Sequence, residues 1–523
     1  MRSMALAHIR PRAAVAALPL AIPVALAAGG LLVPLAYLAL RAFEADLATV
    51  EELVLRRRNA ELLRNTLLLA AALVVTTTAI ALPLAMLTVR TDLPARRLFD
   101  VLLTLPLAIP GYVGAFVILA ATGPGGLYPL PRPSGFWGAL IVLTLITYPY
   151  QYLSLRAALL GVDPALEESA RSLGRGRLAA FLSVTLPQLR PALLGGGLLV
   201  ALHAIADFGT VSLLRYETYS FAIYLQYSAA FDRTYAAWLA LLLVALTALL
   251  LAGDWLLLRR LRLARTGTGA PRRRRPTRLG RWEPVAVAAA ALPPLVAVVL
   301  PLVALLDLAS RFPAGHAAGL REAFGNSVTA AGAAAAMSVA VALPIAFTAA
   351  RARLPGAQAV ERLAYVGYAV PPLAFALAWV FFTLRAAPAL YGSLPLLVFA
   401  LSLHVLSEAM GPVRAAVRQA SPRLEESART LGAGPVKTFV RVTLPIVWRG
   451  AAAGGALAFI GAVKELPITL ILAPLDFSTL ATRMFSYTQD AMFAEAAPFA
   501  LAIVGLSACF VGVLLWTERT FSS

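Results

Sequence analysis

The chain has 523 residues, 60% of them hydrophobic and only 14% charged, with a mean hydropathy of +0.79. A soluble protein carries about a quarter charged residues, so a soluble globular fold is excluded. The formal charge of +19 invites a nucleic-acid reading, but much of it is concentrated in a short stretch between apolar runs, which argues against one.

Apolar runs close to the roughly 20 residues that cross a bilayer as helix recur along the chain. They are too long for the alternating segments of about 10 residues that build a membrane barrel. The expected fold is therefore an all-α polytopic membrane protein with about twelve spans. The first six are expected near 14–40, 63–89, 98–121, 136–158, 191–213 and 235–258. The opening MRSMALAHIRPR with Ala25-Leu26-Ala27 resembles a secretory leader. Its apolar run continues to Leu40, beyond the roughly 7–15 residues of a leader's apolar core, so an uncleaved first span is expected. The run TYPYQY at 147–152 has the composition of an interfacial aromatic belt. Ten arginines and no acid fall within 259–281, the pattern of a cytoplasmic loop under the positive-inside rule. Six more spans are expected near 284–308, 326–350, 360–383, 393–412, 450–473 and 494–516. An even count places both termini in the cytoplasm and the loop 41–62 outside. Cys509 is the single cysteine, so no intrachain disulfide can form. The stretch after Trp516 is expected to hold no regulatory domain.

The chain repeats itself. Asn65-Thr66, Leu82-Pro83, Arg90 and Leu93-Pro94 recur 261 residues later as Asn326-Ser327, Leu343-Pro344, Arg351 and Leu354-Pro355. Residues 164–187 recur at 422–445 with 15 of 24 letters identical, and Asp207 recurs as Glu465 at the same offset of 258. Two tandem six-helix halves are expected, 1–258 and 284–523, joined by a basic linker at 259–283. Six spans per half give both halves one orientation, a parallel repeat about an axis normal to the membrane.

The most similar phrases are LEESARSLG at 166–174 and LEESARTLG at 424–432. Asp163-Pro164 and Ser421-Pro422 supply an N-cap residue followed by proline at the first helical position. Glu167-Glu168 and Glu425-Glu426 fall in the opening turns, where carboxylates suit the helix dipole. Gly174 and Gly432 suit a helix stop. Each copy reads as a short capped helix, a turn and a second short helix ending in VTLP, in loops at 163–190 and 421–449. An amphipathic helix lying on the membrane needs an apolar face, but it does not need the same letters twice. A surface presented twice points to a partner that is itself two-fold.

The pattern E-x-A-x-x-x-G, nine residues, then an apolar residue, x and L-P is similar to the EAA loop of ABC importer permeases. It is carried by Glu168, Ala170, Gly174, Val184, Leu186 and Pro187, and by Glu426, Ala428, Gly432, Val442, Leu444 and Pro445. Serine stands for the middle letter in both copies, at Ser169 and Ser427. The resemblance covers nearly the whole chain and implies a permease fold of the type I importer kind. It also implies that the helices at Pro164 and Pro422 are coupling helices, one for each subunit of an ATPase dimer. Glu167, Glu168, Ala170, Gly174 and Pro187, with Glu425, Glu426, Ala428, Gly432 and Pro445, are then the coupling residues. Further implied are an extracytoplasmic binding protein and a bacterial inner-membrane location. No G-x-x-x-x-G-K-[ST] loop occurs. ATP and magnesium are therefore expected on a separate ATPase chain, with no cofactor on this non-catalytic one.

ADFGTVSLL from Ala206 and KELPITLIL from Lys464 follow the two loops at equivalent places. This asymmetric pair looks like the fused permeases of the iron(III) import family, which implies ferric iron as cargo. Fused thiamine permeases share the layout, and sulfate, polyamine and phosphonate permeases are further alternatives. Asp207, Glu465, Lys464 and Glu408 are candidate translocation-path residues, because charges within spans are costly and often functional. Pairing with Lys464, or capping a helix broken at Gly209 or Pro467, accounts for the two matched acids equally well. Glu408 is close in sequence to Arg414, so a local ion pair would account for it, and His203 and His404 stand singly, a pattern that favours packing or hydrogen bonding over ligation. An ion-coupled secondary transporter fits the acids but gives no reason for two copies of LEESAR.

Overall fold

In hydrocarbon no water satisfies backbone N–H and C=O groups, so a spanning chain must bond them internally. Accordingly, the regular elements among the described residues are helices. The computed structural model describes residues 11–43, 56–230, 232–260, 276–312, 317–351, 361, 364, 367 and 370–522. Arg272–Arg275 of the linker, most of the loop 41–62 and much of the start of the expected span 360–383 lie outside the described residues.

In chain order, α1 is Pro11–Ala42 and α2 is Arg57–Arg90. The helix α3, Arg96–Leu102, leads through a 3-10 turn at Leu105–Ala108 into α4, Gly111–Ala121, with a bend of 88°. Next come α5, Gly135–Gly161, and α6, Pro164–Ser172. The long α7, Arg177–Ala206, is followed by the short α8, Gly209–Leu213, and by α9, Tyr219–Ser228. They are followed by α10, Arg233–Arg260, α11, Gly280–Ser310, and α12, Ala317–Arg351. After α13, Pro372–Ala386, the pair α14, Leu394–His404, and α15, Leu406–Gln419, bends by 54°. The last elements are α16, Pro422–Thr430; α17, Val436–Lys464; α18, Pro467–Leu472; α19, Leu480–Gln489; and α20, Phe493–Ser522.

Among the described residues eight helices are long and apolar enough to cross a membrane, and the two bent pairs bring the number to ten. Two shorter apolar helices, Val24–Leu40 and Pro372–Ala386, occupy the places of the first and ninth expected spans. Two expected spans end differently from the hydropathy reading. The runs 191–213 and 450–473 are each interrupted, at Asp207-Phe208 and at Glu465-Leu466. The expected second short helix of each loop is not separate either. It is the first turns of α7 and α17, joined to the span through π turns at Phe181–Thr185 and Phe439–Thr443. No proline or glycine interrupts 177–185 or 436–443, so the helix runs on through the wide turn into the span.

The chain forms two compact units that cut across the sequence halves. One is Met1–Glu44, Ala318–Thr482 and Gly505–Ser523; the other is Ala45–Ala317 and Arg483–Val504. In the first, α1 packs on α13, with Tyr37 edge-on to Phe382 at 6.1 Å between ring centres. In the second, α2, α5 and α7 pack together, and α11 adds Ala286 and Ala290 to a buried cluster with Leu84, Phe99, Tyr148 and Leu189. The opening helix of each sequence half thus belongs to the unit built mainly from the other half.

That cluster corrects the reading of TYPYQY. Thr147, Tyr148, Gln151 and Tyr152 are fully buried. Tyr152 donates to Asp100 Oδ1 at 2.8 Å, and Arg156 holds the same carboxylate with two hydrogen bonds. Aromatic composition alone does not say which face of a helix turns to lipid; neighbouring helices decide that.

Candidate functional site

The first LEESAR helix has the cap its letters predict, whereas Ser421 makes no side-chain cap hydrogen bond to the second. Asp163 Oδ1 accepts a hydrogen bond from Ala165 N at 3.0 Å, capping α6, and proline occupies the first turn of both α6 and α16. Both helices stop in the same way. Gly174 and Gly432 have φ of +86° and +84°, a left-handed conformation that costs glycine nothing and other residues a clash at Cβ. The chain then closes back, with Arg175 N on Ala170 O at 3.2 Å and Ala433 N on Ala428 O at 3.0 Å. This is the six-to-one bond of a Schellman stop.

The two adjacent glutamates of each copy point in opposite directions. Glu167 and Glu425 are buried, whereas Glu168 and Glu426 are exposed. Glu167 Oε2 accepts from Arg90 Nη1 at 2.8 Å and from Thr185 Oγ1 at 3.0 Å. Ala170 is buried and Ala428 half-buried; Pro187 is half-buried and Pro445 exposed. In the second copy Glu425 lies 3.9 Å from Arg429. The side chain of Arg351, which matches Arg90, lies outside the described residues.

Three residues per copy that the sequence reading left out complete the exposed face. Leu173 is 84% exposed and Leu431 is 88% exposed. Leu178 with Leu182, and Val436 with Val440, are exposed at matching places. Each loop therefore presents a carboxylate, arginines and a bare leucine at the helix stop, a mixture suited to a protein partner. The repeated Leu-Gly pair was the available signal: a leucine directly before a left-handed glycine sits at the tip of the turn, with little of its own helix to cover it.

The acids beyond the loops close the breaks in α7 and α17. Asp207 Oδ1 accepts from Thr210 N at 3.0 Å and Val211 N at 3.1 Å, and its Oδ2 accepts from Thr210 Oγ1 at 2.8 Å. Glu465 Oε1 accepts from Ile468 N at 2.9 Å, and its Oε2 lies 3.7 Å from His404 Nε2. Of the two structural roles open to these acids, the geometry supplies the capping one. Gly111, at the start of α4, lets that backbone approach the first break, since a Cβ there would lie 2.9 Å from Asp207 Oδ2. The Glu408 carboxylate lies against Gly461 of α17, while Arg414 reaches Glu361 at 3.1 Å. The sequence pairing of Glu408 with Arg414 does not hold, because residues six apart lie on different helix faces. His203 stands 5.8 Å from the Tyr150 ring. Among the described residues no group of three or more His, Cys, Asp or Glu is placed to hold a metal ion.

The repeat markers tie the starts of α9 and α19, downstream of the breaks, to α2 and α12. Asn65 Nδ2 donates to Glu217 O at 3.0 Å, and Tyr219 N donates to Thr66 Oγ1 at 3.1 Å. In the other unit Asn326 Nδ2 donates to Ser478 O at 3.0 Å, and Leu480 N donates to Ser327 Oγ at 2.8 Å.

Residues 78–263 and 342–521 each match the family described as the binding-protein-dependent transport system inner membrane component. An Fe(3+)-transport system permease protein of Haemophilus influenzae is 32% identical over 483 residues, 91% of this chain and 93% of that one. The molybdenum transport system permease protein of Escherichia coli K12 is 30% identical over 187 residues, 33% of this chain and 82% of that one. A sulfate transport system permease protein of Salmonella typhimurium is 26% identical over 188 residues, 35% of this chain and 68% of that one.

Proposed function

The chain belongs to the inner-membrane components of binding-protein-dependent transport systems, and on that premise we propose that it is the permease subunit of an ATP-driven importer of ferric iron. Each half, 1–258 and 284–523, supplies one coupling loop to a separate ATPase dimer that carries ATP and magnesium. A binding protein outside delivers the cargo, and both termini lie in the cytoplasm. The observation that carries the coupling role is the matched pair of loops, each with a buried glutamate, an exposed glutamate and an exposed leucine before a left-handed glycine.

Coupling then works through contact and leverage. The ATPase grips α6 and α16 from the exposed side, and closing on ATP moves them. Each helix is joined by its left-handed glycine turn to the start of α7 or α17, so only a short turn separates the helix that is moved from the span. The breaks at Asp207 and Glu465 are where a long helix can bend at a lower cost in backbone hydrogen bonds, since the carboxylates hold freed N–H groups there, two at Asp207 and one at Glu465. The geometry supports a capping role for both acids first. A place on the translocation path for Asp207, Glu465, Lys464 and Glu408 is a second role; for the two capping acids, amide substitution separates it, because the amide keeps an acceptor and removes the charge.

Ferric iron is favoured by the near full-length similarity to an iron permease, since the molybdenum and sulfate relatives match about a third of this chain. The test is to purify the complex with its binding protein attached and identify the bound ligand by metal analysis and mass spectrometry. Stoichiometric ferric ion is expected. Thiamine or an oxyanion in its place would remove the cargo assignment and leave the importer assignment intact.

A further inference from the structure

Arg90 enters the sequence reading only as a repeated letter, yet three elements converge on it. It is the last residue of α2 and is 7% exposed. Its Nη1 donates to Glu167 Oε2 in α6 at 2.8 Å, and its Nη2 donates to Thr185 Oγ1 in the π turn of α7 at 3.3 Å. Thr185 in turn donates to the same glutamate oxygen at 3.0 Å, so the three side chains close a ring. The backbone of Arg90 is also engaged. Thr277 N, at the end of the linker, donates to Arg90 O at 2.9 Å. Asp92 N donates to Thr277 O at 3.2 Å, and Asp92 Oδ1 accepts from Leu279 N at 2.8 Å, just before α11 begins.

We infer that Arg90 is a positioning residue for coupling: through Glu167 and Thr185 it fixes α6 to α2, α7 and the start of α11, so that a displacement of α6 reaches the spans instead of being absorbed in the loop. The inference rests on the reading of α6 as the helix the ATPase moves. The physical reason lies in how little else holds α6. It has nine residues, and of these only Pro164, Glu167 and Ala170 are buried. Two small apolar contacts make a weak hinge. A charge-assisted pair with both side chains 8% exposed makes a stiff one, because water is not at hand to replace either partner. Guanidinium suits the place better than an ammonium, since its fork meets Glu167 and Thr185 at once. The exposed partner-facing residues Glu168 and Leu173 take no part in the ring, so gripping α6 does not compete with anchoring it.

The test uses the full permease with its ATPase and binding protein in proteoliposomes. It reads ATPase retention, basal ATP hydrolysis and the stimulation of hydrolysis by the binding protein, a signal that must cross the membrane whatever the cargo. For Arg90→Gln the expected result is a retained ATPase and near-normal basal hydrolysis, with stimulation reduced at least about threefold, the lower range for breaking a contact between coupled groups. Arg90→Lys should recover part of it. Arg90→Gln combined with Glu167→Gln should be no worse than the more severe single variant. Wild-type stimulation in Arg90→Gln would overturn the inference. So would a loss that Arg90→Lys does not relieve and that follows a fall in thermal stability, since that is a general folding defect. If Arg90→Gln does not accumulate in the membrane, Glu167→Gln, which preserves shape and an acceptor, should reduce the stimulation likewise, and wild-type stimulation in it would overturn the inference equally. The docking reading fails separately, if Leu173→Ser with Leu431→Ser keeps the ATPase bound and stimulated.

Discussion

At the scale of single residues, adjacent letters do opposite work. Glu167 is turned inward to Arg90 and Thr185, while Glu168 is turned outward. Reversing the exposed charges, Glu168→Lys with Glu426→Lys, should leave the purified permease as stable as wild type, within about 0.5 kcal/mol, as for surface substitutions generally. Transport should nevertheless be lost in the assembled importer while ATP hydrolysis continues, measured as uptake against phosphate release. Unchanged transport would remove these two residues from the coupling surface. Leucines behave differently. Covering one such side chain contributes about 1.5–3 kcal/mol, so Leu173→Ser with Leu431→Ser should weaken ATPase retention by at least about tenfold in a pull-down titration, a conservative figure from that range. Gly174 has its own signature. With φ of +86°, alanine there should cost about 1 kcal/mol or more. Alanine at Gly176, whose φ is −64°, should cost much less. Thermal unfolding of the two variants in one detergent checks the difference.

At the scale of elements, the informative features are the breaks. A span interrupted inside a membrane must find partners for the N–H groups it frees, and Asp207 and Glu465 provide them. Asp207→Ala should lower stability by about 0.5–2 kcal/mol, the usual cost of a lost N-cap, seen as a lower unfolding temperature. Asp207→Asn keeps an acceptor for Thr210 and Val211 and should fall well short of that loss. The pair of variants also separates the two roles open to this acid. If Asp207→Asn is stable but does not transport, the charge itself serves the path. If it is stable and transports, the residue is a cap. The same logic applies to Glu465→Gln, where His404 at 3.7 Å adds a second neighbour.

At the scale of the whole molecule, the units are woven from both halves of the chain. One contains Met1–Glu44 together with Ala318–Thr482, and the other contains Ala45–Ala317, including α11 from the second sequence half. A chain divided within the basic linker, at 268, should therefore yield two fragments that are unstable alone and stable together, since neither fragment holds all the helices of either unit. Co-expression should restore a complex that co-purifies and transports. Two fragments that each purify as monodisperse species would contradict this interdependence.

The sequence by itself determined what local chemistry and long-range periodicity determine: an all-helical membrane chain, its duplication, and two LEESAR helices that open on proline and stop at glycine. These follow from apolar run length, from letters repeated at fixed offsets, and from cap residues whose effect is local. It also placed Asp207 and Glu465 at equivalent points. Only the tertiary structure decided which of two adjacent glutamates is buried, because the neighbours that decide it, Arg90 and Thr185, lie 77 and 18 residues away in the chain. For the same reason TYPYQY went to the core, Glu408 to the Gly461 face of α17, and α1 and α11 to units dominated by the opposite half. Which side of a helix is covered depends on what packs against it, and in a chain this uniformly apolar the hydrophobic pattern does not mark that side.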